Sequence, residues 1–559
     1  MKRTEWYKNA VVYQIYPFSF KDNNNDGWGD IEGIISKIDY LAELGITAIW
    51  FSPLYKSPDY DYGYDISAYK DIDPKFGTLN DFKRMLKLCH EKNIKVIMDM
   101  AINHSSIEHK WFKEAIKDSN SPYRDYYIIR EGKKKGKKLL PPNNWDSTFT
   151  GSAWKNIEGT DDFYLHLFCV EQADLNWENP KVRDEAVDIF NFWLELGVDG
   201  FRLDVFNMFS KVYPLKDAKK KIAGTGSEYY VDGPRIHEYL HDLNKRAFSK
   251  YDSFTVGESY MPSEKDAKQY VDKDSEELDT IFNFAHFNSD NNTKYFKKKF
   301  NLIQFKNGLF EPQVANFGTG WNTLVLENHD CTRSNSRFGI NVKKYHYEAS
   351  TFLPLVTFLG FGTPFMYMGE EFGMPNVKFN NLDEFKDPVT HFIVNLLRKF
   401  GVPKKCGLSL INDGLRDQAR VPMRWDDSIN NGFNEGATPW QCSSNPLVDV
   451  SLEKDLKSDK SIFKFYQQVI KFKKENTAAI NGAIKEYNHK NKRIIAYTRL
   501  IDNKGYFVFG NFSNRLTTYQ IPSVLKDKLE KVLLHNYTDG HINDKLTLRP
   551  YEAFVVEMN

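Results

Sequence analysis

The chain has 559 residues, long enough for one large barrel with additions or for several smaller domains, and its 41 % hydrophobic and 15 % aromatic content excludes disorder as the main state. Its 76 Lys and Arg offset 75 Asp and Glu to a formal charge of +1, which excludes the global basic excess of a protein that lives on phosphate backbones; nucleic acid is not an expected partner.

The first eighteen residues carry two early basic side chains and only a short, interrupted apolar stretch, which is no signal-peptide core. Short apolar runs then recur along the chain: Val11 to Phe20, Thr47 to Ser52, Lys95 to Asn103, Gly200 to Val205, Phe254 to Glu258, Leu278 to Phe284, Trp321 to Asp330 and Thr363 to Glu370. Between them lie stretches with apolar residues at three- and four-residue spacing, such as Ile31 to Leu44, Asp81 to Lys92, Lys181 to Leu196 and Ile236 to Phe248. Eight strand-like runs alternating with helical patterns predict an α/β fold, a (β/α)8 barrel, over residues 1–103 and 174–479. Residues 104–173 are too long for a simple barrel loop and predict an inserted subdomain; a second, irregular insertion is expected at about 373–459. From residue 480 to 559 the pattern turns to alternating strands without helices, which predicts a C-terminal antiparallel β-domain of the sandwich type.

Thr351 to Met368 holds no charge, but Gly360, Gly362 and Pro364 interrupt it, so it predicts a buried helix followed by a buried strand rather than a membrane span. The five cysteines (Cys89, Cys169, Cys331, Cys406 and Cys442) are widely spaced, without a CxxC pair, and favour a reducing, cytoplasmic setting over a disulfide framework. The expected state is a monomer with no membrane association.

In a barrel, chemistry gathers where strands end at the C-terminal face. Run three ends Asp99-Met-Ala-Ile-Asn103-His104, run four contains Gly200-Phe-Arg202-Leu-Asp204-Val205, run five ends Val256-Gly-Glu258, and run seven ends Glu327-Asn328-His329-Asp330. Asp204, Glu258 and Asp330 would then face one mouth. Two carboxylates flanking a bond, one a nucleophile and one an acid, are what retaining glycoside hydrolysis requires, and a third can orient the sugar. Arg202 lies two residues before Asp204 and points to the same side of its strand, whereas Glu258 has no basic neighbour in its own run, leaving its acidity free to fall. Taken singly, an Asp at a strand end is more often a helix cap, and His104 and His329 are more often structural than ligands.

The ordered set DMAINH (99–104), GFRLDV (200–205), VGE (256–258) and NHD (328–330) resembles the α-amylase clan of glycoside hydrolases, and within it the oligo-1,6-glucosidase, dextran glucosidase and α-glucosidase group. Gln172-Ala-Asp-Leu-Asn176, Pro141-Pro-Asn-Asn-Trp145, Gly369 to Met374 and Ala419 to Asp426 extend the resemblance over nearly the whole chain. It implies a double displacement with Asp204 as nucleophile, Glu258 as acid then base, and Asp330 as transition-state stabiliser. His104, Arg202 and His329 match the family's hydroxyl-binding positions, Phe149 and Phe168 its pocket aromatics, and Asp61 and Tyr64 the residues that block the sugar chain behind the terminal glucose, with Arg420 as the implied ion-pair partner of Asp61. A blocked end implies an exo-acting enzyme on small oligosaccharides. Val205, directly after the nucleophile, matches members that prefer α-1,6 linkages; the plain alternative is β-branched strand filling. Ala101, Ala173, Cys331 and Thr332 depart from the usual Val, Pro and Gln-Pro, and the last two bear on the leaving sugar.

Asp22, Asn24, Asp26 and Asp30, with the Trp28 carbonyl, offer hard oxygen ligands on a tight turn where the family often holds Ca²⁺, so a structural Ca²⁺, or Mg²⁺, is expected there and no organic cofactor. The alternative is an Asx-rich turn capping the following helix. The basic run Lys133 to Lys138 is most simply a solvated loop tip; as a phosphate grip it would suit a trehalose-6-phosphate hydrolase. That enzyme is a close relative with the same catalytic set; an α-1,4-preferring α-glucosidase and a sucrose isomerase or trehalose synthase are further alternatives, since the sequence does not separate transfer from hydrolysis. Transporter accessory subunits share the fold as binding proteins, but they carry a transmembrane helix.

Overall fold

The computed structural model describes residues 3–149, 151–221, 224–260, 264–293, 296–411, 414–441, 446–543 and 545–559; Cys442 lies outside them. Eight parallel strands form one sheet: β1 (Val12–Ile15), β2 (Ala48–Phe51), β3 (Lys95–Met100), β4 (Gly200–Leu203), β5 (Phe254–Gly257), β6 (Thr280–Ile281), β7 (Thr323–Val325) and β8 (Thr363–Tyr367). Their order is β6-β5-β4-β3-β2-β1-β8-β7, so neighbours in the sheet are neighbours in sequence and β8 returns to β1, the order of a (β/α)8 barrel. Every residue of β1, β4 and β5 is buried, as expected of strands covered on both faces.

The chain divides into two compact units. The first comprises Met1–Glu5, Trp50–Lys87 and Val96–Ile281. In it β4 pairs with β3 (Arg202 opposite Asp99) and with β5 (Leu203 opposite Gly257), which sets the ends of β4 and β5 level. The long helix Pro180–Glu195 starts on an Asn179 cap with Pro at its first position, and Ile236–Arg246 follows later. The segment after β3 builds a three-stranded antiparallel sheet (Trp154–Asn156, Asp162–Leu165, Ile129–Glu131) and a hairpin, Lys133–Lys135 with Lys138–Leu140. Its aromatic core includes Trp145, Trp154, Phe163 and Phe168 and takes in Val205 and Met208.

The second unit comprises Trp6–Ile49, Leu88–Lys95 and Phe282–Asn559. The uncharged stretch Thr351 to Met368 is the end of helix Val342–Phe358 followed by β8, buried throughout, as the sequence predicts. Three expectations need correction. The helical pattern Ile31 to Leu44 is two helices, Ile31–Ile35 and Ile38–Leu44, because Lys37 leaves helical geometry (φ −116°, ψ 6°); Ile34, Ile38 and Leu41 keep the apolar spacing across the break and hide it. The stretch expected to be irregular after residue 373 contains helices Pro388–Lys399 and Lys404–Ile411. The C-terminal segment is not free of helix: Ser523–Lys526 forms one turn.

That segment holds a five-stranded antiparallel sheet, β9 (Ala483–Tyr487), β10 (Ile494–Ile501), β11 (Lys504–Asn511), β13 (Leu529–His535) and β15 (Ala553–Met558), in the order β9-β10-β11-β15-β13. A second ladder pairs β12 (Thr517–Gln520) with β14 (Lys545–Leu548), and Phe507, Phe509, Tyr519, Leu546, Leu548 and Phe554 form a shared core. Lys306, on helix Leu302–Asn316, is buried and donates to the carbonyls of Asn488 and Asn491 (both 3.0 Å) and Ile494 (3.3 Å), at the turn between β9 and β10.

Candidate active site

In the first unit, the site is organised around Arg202. Its guanidinium is buried and pairs with three carboxylates: Nη1 donates to Asp99 and to Asp204 (2.6 Å each), and Nη2 to Glu258. Alternation along β4 puts Arg202 and Asp204 on one side, and register with β3 and β5 supplies the other two acids. The run of Glu258 holds no basic group, as the sequence shows, but the adjacent strand supplies one in Arg202. A single guanidinium reaches both Asp204 and Glu258, so the two carboxyls stand close together at the ends of neighbouring strands.

Asp99, not among the residues singled out for the site, anchors the arrangement from below. It accepts from Trp50 Nε1 (3.2 Å) and Tyr64 Oη (3.0 Å), while burial pushes its carboxyl up to about 6 against the opposing pull of Arg202. Trp50 and Tyr64 lie 5.5 and 5.6 Å from the Arg202 guanidinium, in cation–π range. Tyr64 is thus held by its hydroxyl and by the cation beside its ring.

Burial lowers His104 to about 4, so its imidazole is neutral at pH 7. Its Nε2 lies 3.1 Å from the Tyr64 carbonyl and 3.0 Å from Gln172 Nε2, while Nδ1 has no hydrogen-bond partner among the described residues. Gln172 also donates to Asp61 (3.2 Å), which ties Asp61 and His104 together. Phe168 lies 5.2 Å from the His104 ring and 5.4 Å from Phe149, and both phenylalanines pack in the cluster that contains Val205. Val205 itself has φ +37° and ψ 38°, a left-handed conformation that costs a β-branched residue energy and turns the chain sharply after Asp204.

Lys211, on the same loop, is buried with its ammonium among Asp174 Oδ1 (2.7 Å), the Met208 carbonyl (2.6 Å) and Asn103 Oδ1 (3.2 Å). Sequence reasoning missed it, because a lone lysine in a polar loop carries no signal.

In the second unit, Asp330 accepts from Arg420 Nη2 (2.8 Å) and Arg416 Nη1 (3.3 Å), and its own N–H donates to Asn328. Arg416 also pairs with the buried Asp387, whose charge it stabilises: burial alone would raise that carboxyl, and the Arg416 charge and hydrogen bond bring it below its ordinary value. Arg420 is buried and donates from Nε to the His329 carbonyl (3.1 Å). The His329 ring lies parallel to Tyr16 at 6.0 Å, and its Nδ1 is 2.7 Å from Gln14 Nε2. Neither Arg416 nor Gln14 stood out in the sequence.

The loop proposed for a metal also lies in this unit. Asp22 accepts from the N–H groups of Asn25 (2.6 Å) and Gly27 (2.8 Å) and from Asn434 Nδ2 (2.8 Å). Asp30 accepts from Asn23, Asn24 and Gly33, the last as the cap of helix Ile31–Ile35. Asn24 and Asp26 each accept the N–H two residues on, at 2.9 Å. Burial, and to a lesser degree the Asp22 charge, raises the Asp30 carboxyl against those three N–H donors. Among the described residues no three His, Cys, Asp or Glu side chains converge on one point, so a cation there would rest on a mixed set including Asn24 and the Trp28 carbonyl.

The family comparison agrees with this chemistry. The alpha amylase catalytic domain matches residues 14–482, and the alpha-amylase SusG C-terminal domain residues 494–555. An oligo-1,6-glucosidase of Parageobacillus thermoglucosidasius is 42 % identical over 99 % of both chains, and a trehalose-6-phosphate hydrolase of Bacillus subtilis (strain 168) is 39 % identical over 100 % of this chain and 99 % of its own. Among solved structures, trehalose-6-phosphate hydrolase of Bacillus licheniformis is similar with a TM-score of 0.92 at 39 % identity over 99 % of each chain. Isomaltulose synthase of Klebsiella sp. LX3 reaches a TM-score of 0.94 at 35 % identity over 100 % of each. The chain belongs to the alpha-amylase family: a (β/α)8-barrel glycoside hydrolase followed by an antiparallel β-domain.

Proposed function

We propose that the chain is a retaining, exo-acting oligo-1,6-glucosidase that removes terminal α-1,6-linked glucose from isomalto-oligosaccharides and dextrins. The observation that carries this reading is Arg202 joined to both Asp204 and Glu258 at the ends of neighbouring strands, in a chain about 40 % identical over its full length to several oligo-1,6-glucosidases. In this reading Asp204, oriented by Arg202, attacks the anomeric carbon while Glu258 gives its proton to the glycosidic oxygen; water then enters from the vacated side, losing its proton to Glu258. His104, neutral, Arg202 and His329 bind glucose hydroxyls; Asp330, held by Arg420 and Arg416, stabilises the oxocarbenium-like transition state. Asp61 and Tyr64 close the glucose end, and Phe149, Phe168 and Val205 shape the pocket.

A Ca²⁺ ion on Asp22, Asn24, Asp26, the Trp28 carbonyl and Asp30 belongs to this reading as a structural element, with Mg²⁺ the alternative. Two neighbouring buried carboxylates on one loop support it, since a cation would offset their repulsion. No helix among the described residues is long and apolar enough to cross a membrane. A monomer in the cytoplasm, acting on small oligosaccharides without organic cofactor, nucleic acid or membrane, completes the proposal; the scattered cysteines support that compartment.

The test is initial glucose release from isomaltose, maltose, sucrose and trehalose-6-phosphate at equal concentration, with Asp204→Asn as control. Isomaltose should lead, and Asp204→Asn should lose on the order of 10⁴-fold or more in turnover with an unchanged circular dichroism spectrum. Retained activity would reassign the nucleophile. Trehalose-6-phosphate in the lead would favour the second reading, which the relatives of that activity at 39 % identity support. Against it stands the basic hairpin: Lys133 already pairs with Asp217 and Lys134 with Asp161.

A further inference from the structure

Main-chain pairing between β4 and β5 ends where the Glu258 N–H donates to the Leu203 carbonyl (2.9 Å). Beyond that bond the two strand ends separate, yet they stay tied. The left-handed Val205 reverses the chain after Asp204 and brings Asn207, fully buried, back against Tyr260, two residues past Glu258. Asn207 Nδ2 donates to the Tyr260 carbonyl (2.9 Å) and the Tyr260 N–H donates to Asn207 Oδ1 (2.8 Å). The side-chain amide pairs with that residue as a further strand would, extending the ladder by one rung.

The clamp is braced from behind. The second Nδ2 hydrogen goes to Asp232 Oδ1 (2.9 Å), which also accepts from Tyr270 Oη (2.6 Å), and the Asp232 N–H donates to the Asn207 carbonyl (2.9 Å). Between Asp204 and the clamp, Phe206 packs closely against Gly257, the residue before Glu258: a Cβ on Gly257 would fall 2.3 Å from the Phe206 ring. Tyr270 meets Phe206 edge-on at 4.8 Å.

We propose that Asn207 is a positioning residue that sets the spacing and aim of Asp204 and Glu258 relative to each other, through its two-point hold on Tyr260. The proposal rests on the reading of Glu258 as acid and base. A side chain that merely fills a buried loop would, when removed, cost stability and slow all substrates alike. A side chain that aims the acid has a different signature in the first step, read as kcat/KM: substrates whose leaving group needs a proton suffer, and those whose leaving group departs unaided are spared.

The experiment compares Asn207→Ala, Tyr270→Phe and Glu258→Gln on isomaltose and on α-glucosyl fluoride, whose fluoride leaves without a proton. Asn207→Ala should lower kcat/KM, which reports the first step alone, by about 100-fold on isomaltose, within the range that acid assistance supplies, and by under about 10-fold on the fluoride. Tyr270→Phe, which keeps Asn207 and removes only its brace, should skew the ratio the same way by a few-fold, and it decides the matter if Asn207→Ala does not fold. An equal loss of kcat/KM on both substrates in the Asn207 and Tyr270 variants overturns the proposal. A lack of skew in Glu258→Gln overturns the acid assignment itself, and the proposal with it; the two failures are distinguished by which variant shows them.

Discussion

Arg202 and Glu258 sit on neighbouring strands of one sheet and form an ion pair inside the protein. The same guanidinium serves Asp99 and Asp204, so three carboxylates depend on one cation that is 2 % exposed at its side chain. Replacing Arg202 by Gln should cost about 3 to 5 kcal/mol of stability, the usual penalty for stranding a buried charge, and abolish measurable turnover. Arg202→Lys keeps the charge but has no planar fork to reach three acids, so it should retain much of the stability and little of the activity. Denaturant melts and glucose release on both variants check this; an active, stable Gln variant refutes it.

Val205→Thr keeps β-branching and so the strained turn after Asp204, while adding a hydroxyl to the cluster with Phe168. Its activity on maltose relative to isomaltose should rise by about 10- to 100-fold, the ceiling that one small group in an apolar pocket provides. An unchanged ratio of kcat/KM values removes Val205 from the choice of linkage.

Lys211→Met leaves Asp174 with the Asn103 amide and the Leu167 N–H but no cation. Since this lysine joins Asp174, directly after the inserted segment, to Asn103 past the end of β3 and to the loop carrying Asn207, the loss should appear as a drop in melting temperature of several degrees together with increased proteolysis near residues 167–211. Limited proteolysis followed by mass spectrometry locates the effect.

Glu371 is buried and accepts from Tyr13 Oη (2.8 Å) and Tyr40 Oη; burial raises its carboxyl to about 7 despite those bonds. Between an unfolded value of about 4.5 and the folded value near 7, the folded protein holds a proton that the unfolded chain has lost, so this group's contribution declines as pH rises through that window and is flat above it. Glu371→Gln has no such dependence. The melting temperature of the variant minus that of the wild type should therefore become more positive from pH 5 to pH 8; a constant difference shows that Glu371 does not titrate there.

Chelation bears on the loop from Asp22 to Asp30. Adding a chelator should lower the melting temperature while initial glucose release persists at low temperature, and Ca²⁺ should restore the melt. Activity that vanishes at once in a folded protein contradicts a structural ion.

Much of this arrangement is legible in the sequence because it is local. Arg202 and Asp204 share one strand, and the eight apolar runs announce the strands that place their ends. What escaped is set by register and by contacts distant along the chain. Nothing in Val256-Gly-Glu258 reveals that Arg202 lies opposite Asp99 and beside Glu258, and Arg416 meets Asp330 across 86 positions. Asn207 and Lys211 look like ordinary polar loop residues until the left-handed turn at Val205 folds them inward. The break at Lys37 stayed hidden because apolar periodicity records which face is buried, not whether the backbone continues.

The ammonium of Lys306 inside the β9–β10 turn makes the end of the chain hard to exchange as a module. A chimera that brings a foreign C-terminal domain inherits a buried cation on helix Leu302–Asn316 and must present carbonyls to it at three points, or carry a neutral residue in its place. Domain shuffling between relatives of this chain therefore has a compatibility rule written in one side chain: position 306 and the turn at 488–494 travel together.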